Sequence, residues 1–354
     1  MSQIPRLSEI SAGRNNNLNL IRMVAASAVL ISHAFPITSG SDAVEPFETQ
    51  LGMTLGEIAV GIFFILSGFL VSMSFTRSKS LAGFFIARAV RIFPALFVVL
   101  TLTALLLGPL VTQLPLDAYL LSPATLTYIP GNMSLAFMQY DLPGVFDQNP
   151  VGQAINGSLW TLFYEVACYF GVAVIGLLGA FRSQRLFLAS LAAFMAFYVA
   201  VNVYEHMLPT RIILLADLGF PFMVGIVFFN YRERIPVFLP VSLILFASSF
   251  LFVDTFIFNE VFYLTIGYFL VSVGFLESLR FEQYNKLGDY SYGVYIYAFP
   301  MQQLAVYYFG PMTPQMNMLI AFPITLIFAI LSWHLVESRA LSLKKRLDVR
   351  KAPV

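Results

Sequence analysis

Ten stretches of this chain, at roughly 18–37, 52–75, 84–108, 155–180, 186–206, 211–230, 236–254, 257–279, 288–309 and 315–337, are apolar and long enough to cross about 30 Å of hydrocarbon. Lipid cannot hydrogen-bond a bare backbone, so runs this long and continuous are viable there only as helices. The expected fold class is therefore all-α: a polytopic membrane protein with about ten transmembrane helices. Composition points the same way, with 58% hydrophobic and 11% charged residues against roughly 25% charged in a soluble domain. That balance excludes an ordinary soluble enzyme, and a net charge of +1 offers no footing for nucleic acid. The lone Cys168 excludes an intramolecular disulfide and reads as packing.

An even number of spans puts both termini on one side of the membrane, and the basic residues say which. All Lys and Arg except Arg22 and Arg211 fall on the side of the termini, so the termini are expected in the cytoplasm. The domain reading is a cytoplasmic segment over 1–17, one membrane domain over 18–338, and a basic cytoplasmic tail over 339–354. Lys344 to Lys351 would anchor that tail on anionic lipid. Met1 to Asn17 is polar and no cleavable signal peptide is expected. The longest outer loop, from about Pro109 to Asn156, has no Lys or Arg and is too apolar for disorder, so it should fold back on the outer face and border a cavity.

An ionisable group at the centre of a membrane helix costs roughly 2.5–3.5 kcal/mol. Arg22 and His33 stand 11 positions apart in the first span, about 1100° and 16 Å along a helix, hence on one stripe. Arg22 could simply snorkel to the cytoplasmic interface. His33, nearer the outer end, is either an interfacial hydrogen-bonder or a proton acceptor facing a polar cavity, and the second reading is favoured. Glu165 lies about ten residues into the fourth span, on the helical face of Ser158. It reaches the depth of His33 from the other side, so it could orient or charge the imidazole; the alternative is a structural carboxylate bonded to a tyrosine.

Three further clusters each carry two readings. Ser67 and Gly68 in the second span admit a neighbouring helix or a narrow ligand. Arg88 and Arg91, at i and i+3 before Pro94, set two guanidinium forks side by side, to grip phosphate or to anchor topology. The phenol-rich stretch from Gly288 to Tyr297 suits an interfacial belt or a sugar-stacking wall. His206 and His334 read as interfacial.

Taken in order, six features resemble acyltransferase family 3, the integral-membrane enzymes that O-acetylate bacterial surface and exported polysaccharides. They are Arg22-x10-His33, Phe63-Phe-Ile-Leu-Ser-Gly-Phe69, Arg88-x-x-Arg91, Asn156-Gly-Ser-Leu-Trp-Thr-Leu-x-x-Glu165, Tyr290-Ser-Tyr-Gly-Val-Tyr and Trp333-x-x-x-Glu337. The likeness spans 18 to 337, and Leu142-Pro-Gly-Val-Phe looks most like the exopolysaccharide and O-antigen branch. It implies a multi-pass protein of the bacterial inner membrane using acetyl-CoA and no metal. The CoA phosphates would meet Arg88 and Arg91, with Arg22 and Ser67 along the donor path. His33 would deprotonate a sugar hydroxyl or carry the acetyl group transiently, and Glu165 would assist. Asn156, Ser158, Trp160 and Tyr292 would meet the glycan or its lipid-linked precursor.

Two positions depart from the family pattern. Ala298 stands where many relatives have a histidine, and Ser338 replaces the usual proline after the terminal glutamate. The sequence leaves the oligomeric state open, a homodimer included. Its runner-up function is a transporter or flippase for lipid-linked sugars without acyl transfer, although the internal repeats common in transporters are not seen.

Overall fold

The computed structural model describes residues 4–11, 13, 16–279 and 281–343. Each predicted window holds a helix: α1 (Leu18–Ser39), α2 (Leu55–Arg77), α3 (Leu81–Val111), α4 (Gly157–Leu177), α5 (Gln184–Val203), α6 (Thr210–Asn230), α7 (Leu239–Phe252), α8 (Phe258–Phe275), α9 (Ser291–Phe309) and α10 (Pro314–Leu343). Among the described residues, 8 of these are long and apolar enough to cross a membrane. The other two fall short for different reasons. α7 is too short, whereas α9 has the length but carries Gln302, Gln303 and a series of tyrosines. No strand forms among the described residues beyond a single bridge between Arg6 and Pro236. The protein is all-α and polytopic.

The described chain divides into two units, each gathered from three stretches of sequence, so neither is a contiguous piece of the chain. The first contains Met1–Arg22, Ile58–Phe84 and Tyr164–Leu287. Here α2 and α6 cross with their backbones touching. A Cβ added to Gly68 would lie 2.0 Å from the Phe222 carbonyl oxygen, and one on Gly225 would lie 2.0 Å from that of Ile65. The small-residue pair at Ser67–Gly68 thus serves helix packing through its glycine.

The polar N-terminal segment is tied down in this unit. Leu7 is fully buried and its N–H donates to the Ile235 carbonyl at 2.9 Å, while Val237 N–H donates to Pro5 at 2.8 Å. Further on, the Asn17 amide donates to the carbonyls of Val273 (3.0 Å) and Leu279 (2.6 Å).

The second unit contains Met23–Glu57, Phe85–Phe163 and the described part of Gly288–Val354. Its centre is the α9–α10 pair, in which a Cβ on Gly293 would meet Ala329 Cα at 2.6 Å. From Ser291 to Gln303, α9 is buried. The loop after α3 is folded, with short helices at Leu116–Leu120 and Pro123–Met133. It is fastened to α9 by buried amides: Asn149 Nδ2 donates to Gln303 Oε1 at 2.8 Å, and Gln303 Nε2 to the Ala154 carbonyl at 2.7 Å. At the top of α1, Ser32 donates to the Glu45 carboxylate and accepts from Gly56 N–H at 2.8 Å. Burial pushes the Glu45 carboxyl above its ordinary value, against the opposing pull of that serine bond.

With Ser338 in place of proline, α10 passes through a π-helical turn at Trp333–Glu337 and runs on to Leu343. Arg14, Arg280 and the basic cluster Lys344 to Lys351 lie outside the described residues.

Candidate active site

His33 belongs to the second unit, on a helix tied to α9 just before it and interrupted by a proline just after it. The Gln302 amide donates to the Leu30 carbonyl at 2.9 Å, one turn before the histidine. Pro36, three positions after it, removes an N–H from the helical ladder. The ring is half-buried and meets Phe299 edge to face, with centroids 5.3 Å apart. Among the described residues of this unit, Ser158 is the side chain within hydrogen-bonding distance, its Oγ 3.5 Å from His33 Nδ1. That is the outer limit of such a bond.

Ser158 is placed by a tight local device. Gly157–Trp160 forms a single 3₁₀ turn ahead of the α-helical part of α4, which starts at Thr161. Asn156 caps the turn: its Oδ1 accepts from Ser158 N–H at 3.3 Å while its Nδ2 donates to the Ile296 carbonyl at 2.8 Å. Tyr295 adds a bond from its hydroxyl to the Ser158 carbonyl at 2.7 Å. A Cβ on Gly157 would approach Phe299 Cε2 to 2.7 Å, so the ring against His33 also rests on this glycine. Asn156 therefore acts on Ser158, and Ser158 on His33. Trp160 closes the turn, half-buried.

Arg91 forms an ion pair with Asp289, whose other oxygen accepts from the Ser291 N–H and hydroxyl. Tyr292, buried, donates from its hydroxyl to the Ile92 carbonyl at 3.0 Å. The start of α9 is thus sewn to the arginine segment of α3, a partnership outside both sequence readings of Arg88 and Arg91. Asp289 stood inside the phenol-rich stretch, and an Asp two residues ahead of a helical serine was the available signal.

Arg88 belongs to the second unit, and Glu165, Ser67 and Arg22 belong to the first. Glu165 accepts from Ser67 Oγ at 3.2 Å and from the hydroxyl of Tyr169, one helical turn on. Two residues given separate roles from sequence therefore meet, and the tyrosine partner is the one the structural reading of Glu165 requires. His33 and Glu165 fall in different units. Arg22 lies 6.0 Å from the Phe63 ring centroid.

An imidazole beside a serine hydroxyl and edge-on to an aromatic ring, on a helix of an all-α multi-span protein, is a group able to take up and return a proton. The chain belongs to acyltransferase family 3, whose acyltransferase-domain model matches residues 15–334. Over 341 residues it is 30% identical to an O-acetyl transferase of Shigella phage Sf6, covering 93% of this chain and 97% of that one. It is also 35% identical over 182 residues to nodulation protein 10 of Rhizobium leguminosarum bv. viciae, covering 48% and 46% of the two chains. No solved structure matches it. The protein is thus a membrane acyltransferase, and family membership favours group transfer over a carrier without it. Within that family frame Ala298 is a packing residue, 0% exposed.

Proposed function

We propose that this enzyme moves an acetyl group from acetyl-CoA to a hydroxyl of a bacterial surface or exported polysaccharide, or of its lipid-linked precursor, in the inner membrane. The observation that carries the reading is the bond geometry at His33. The proposed step assigns the Nδ1 proton to the Ser158 Oγ contact, which leaves the Nε2 lone pair to act as base. The name of the phage relative, an O-acetyl transferase, supports acetyl as the group transferred.

In the proposed step, Nε2 takes the proton of the acceptor hydroxyl as its oxygen attacks the thioester carbonyl. The new C–O bond forms, the C–S bond breaks, and the imidazolium returns its proton to the departing CoA thiolate. Arg88 and Arg91 supply the cationic grip for the CoA phosphates, Arg91 while also paired with Asp289. Arg22 and Ser67 border the donor path and Glu165 assists as a carboxylate. On the acceptor side, Trp160 offers a stacking face, while Asn156 and Tyr292 hold the frame.

The test is mass spectrometry of surface glycans from cells lacking the protein and complemented with wild type or His33→Ala. Wild type should restore acetyl-sized mass shifts. The variant should reach the membrane at the same level and lose roughly 10²–10⁴-fold in rate. Normal acetylation by the variant overturns the assignment.

A further inference from the structure

The first unit contains a cavity of about 260 Å³ whose lining includes Ser11, Asn16, Asn19, Arg22, Met73 and Arg77. Two arginines are among its lining residues, and no carboxylate is among the described ones. The first turn of α1, a 22-residue helix, contributes Leu18 and Asn19, so the positive end of a helix dipole adds to the two cations. The wall is fixed in advance. The Asn17 Oδ1 accepts from Phe281 N–H at 2.9 Å, and Asn285 Nδ2 donates to the Asn16 carbonyl at 2.6 Å.

We infer that this cavity is a binding site for a phosphate-bearing group, with Arg77 and Arg22 as its charged ligands. A liquid water occupies about 30 Å³ and whole-ligand pockets start near 300 Å³. The space therefore suits a phosphate or pyrophosphate moiety rather than an entire nucleotide thioester. Arg77 closes the last turn of α2, where a cation also complements the helix end, and it is exposed. That second role affects stability and leaves anion binding unchanged, so the two can be separated. The phosphate could come from the CoA donor, which rests on the proposed function, or from an anionic lipid headgroup, which does not.

The full-length protein in phosphatidylcholine nanodiscs is titrated calorimetrically with pyrophosphate and with CoA, and its thermal unfolding is compared with and without phosphatidylglycerol. Losing a charged ligand should weaken pyrophosphate binding in Arg77→Gln by roughly tenfold or more, while Arg77→Lys keeps most of it. A matching loss for CoA identifies the donor as the source. Unchanged titrations with loss of the phosphatidylglycerol-dependent stabilisation identify the lipid. Arg77-dependent pyrophosphate binding without any CoA binding by the wild type defeats the donor reading and leaves the cavity standing. Unchanged behaviour in all three measurements overturns the inference. Should Arg77→Gln fail to fold, Asn19→Asp, which puts a carboxylate in the wall, gives the same readout.

Discussion

Ser158 is the residue whose role changed most between sequence and structure. From the sequence it was expected to meet the glycan; in the fold it is the hydroxyl facing His33. Ser158→Ala should lower kcat by roughly threefold to tenfold, the worth of one net hydrogen bond, with KM little changed, and Ser158→Thr should restore part of the loss. A KM effect alone would make Ser158 an acceptor contact instead. Glu165 is tested by Glu165→Gln in acetyltransferase assays alongside thermal unfolding. Turnover should fall by about 10²-fold, the low end of general acid–base assistance, with the melting temperature held. A lowered melting temperature with intact turnover would reduce Glu165 to its bond with Tyr169.

Among the elements, the α2–α6 crossing has the least slack. Each glycine faces a carbonyl oxygen of the opposite helix at a distance no Cβ tolerates. Gly225→Val should therefore destabilise the protein by about 1–3 kcal/mol through overpacking, read as a lower midpoint in thermal unfolding in detergent. An unchanged midpoint would show that the helices do not cross so closely. Sequence marked Gly68 only as a small residue, because its partner lies more than 150 positions away in a helix with no distinguishing pattern. The path of α9 was equally hidden. Its tyrosines read as well for an interface as for a wall, and burial within the second unit gave them a third use, packing and backbone bonding.

For the whole molecule, the positive-inside argument makes a prediction about topology. In a Cys168→Ser background, a cysteine at Thr255, between α7 and α8, should react with a membrane-impermeant thiol reagent on intact cells. One at Ser183, beside Arg182, should react only after permeabilisation. Labelling of both from the same side would refute the ten-span arrangement.

By itself the sequence determined the class, the helix positions and the family. Bilayer thickness sets helix length and lipid forbids unsatisfied backbone, so apolar runs translate almost directly into spans. It also isolated His33, because a titratable group inside a span is costly enough to stand out. Only the tertiary structure decided the partners: Ser158 for His33, Ser67 and Tyr169 for Glu165, Asp289 for Arg91. Helical periodicity fixes the face on which a side chain lies. Which other face it meets depends on packing between helices distant in the chain, and hydrophobicity inside a bilayer does not encode that choice.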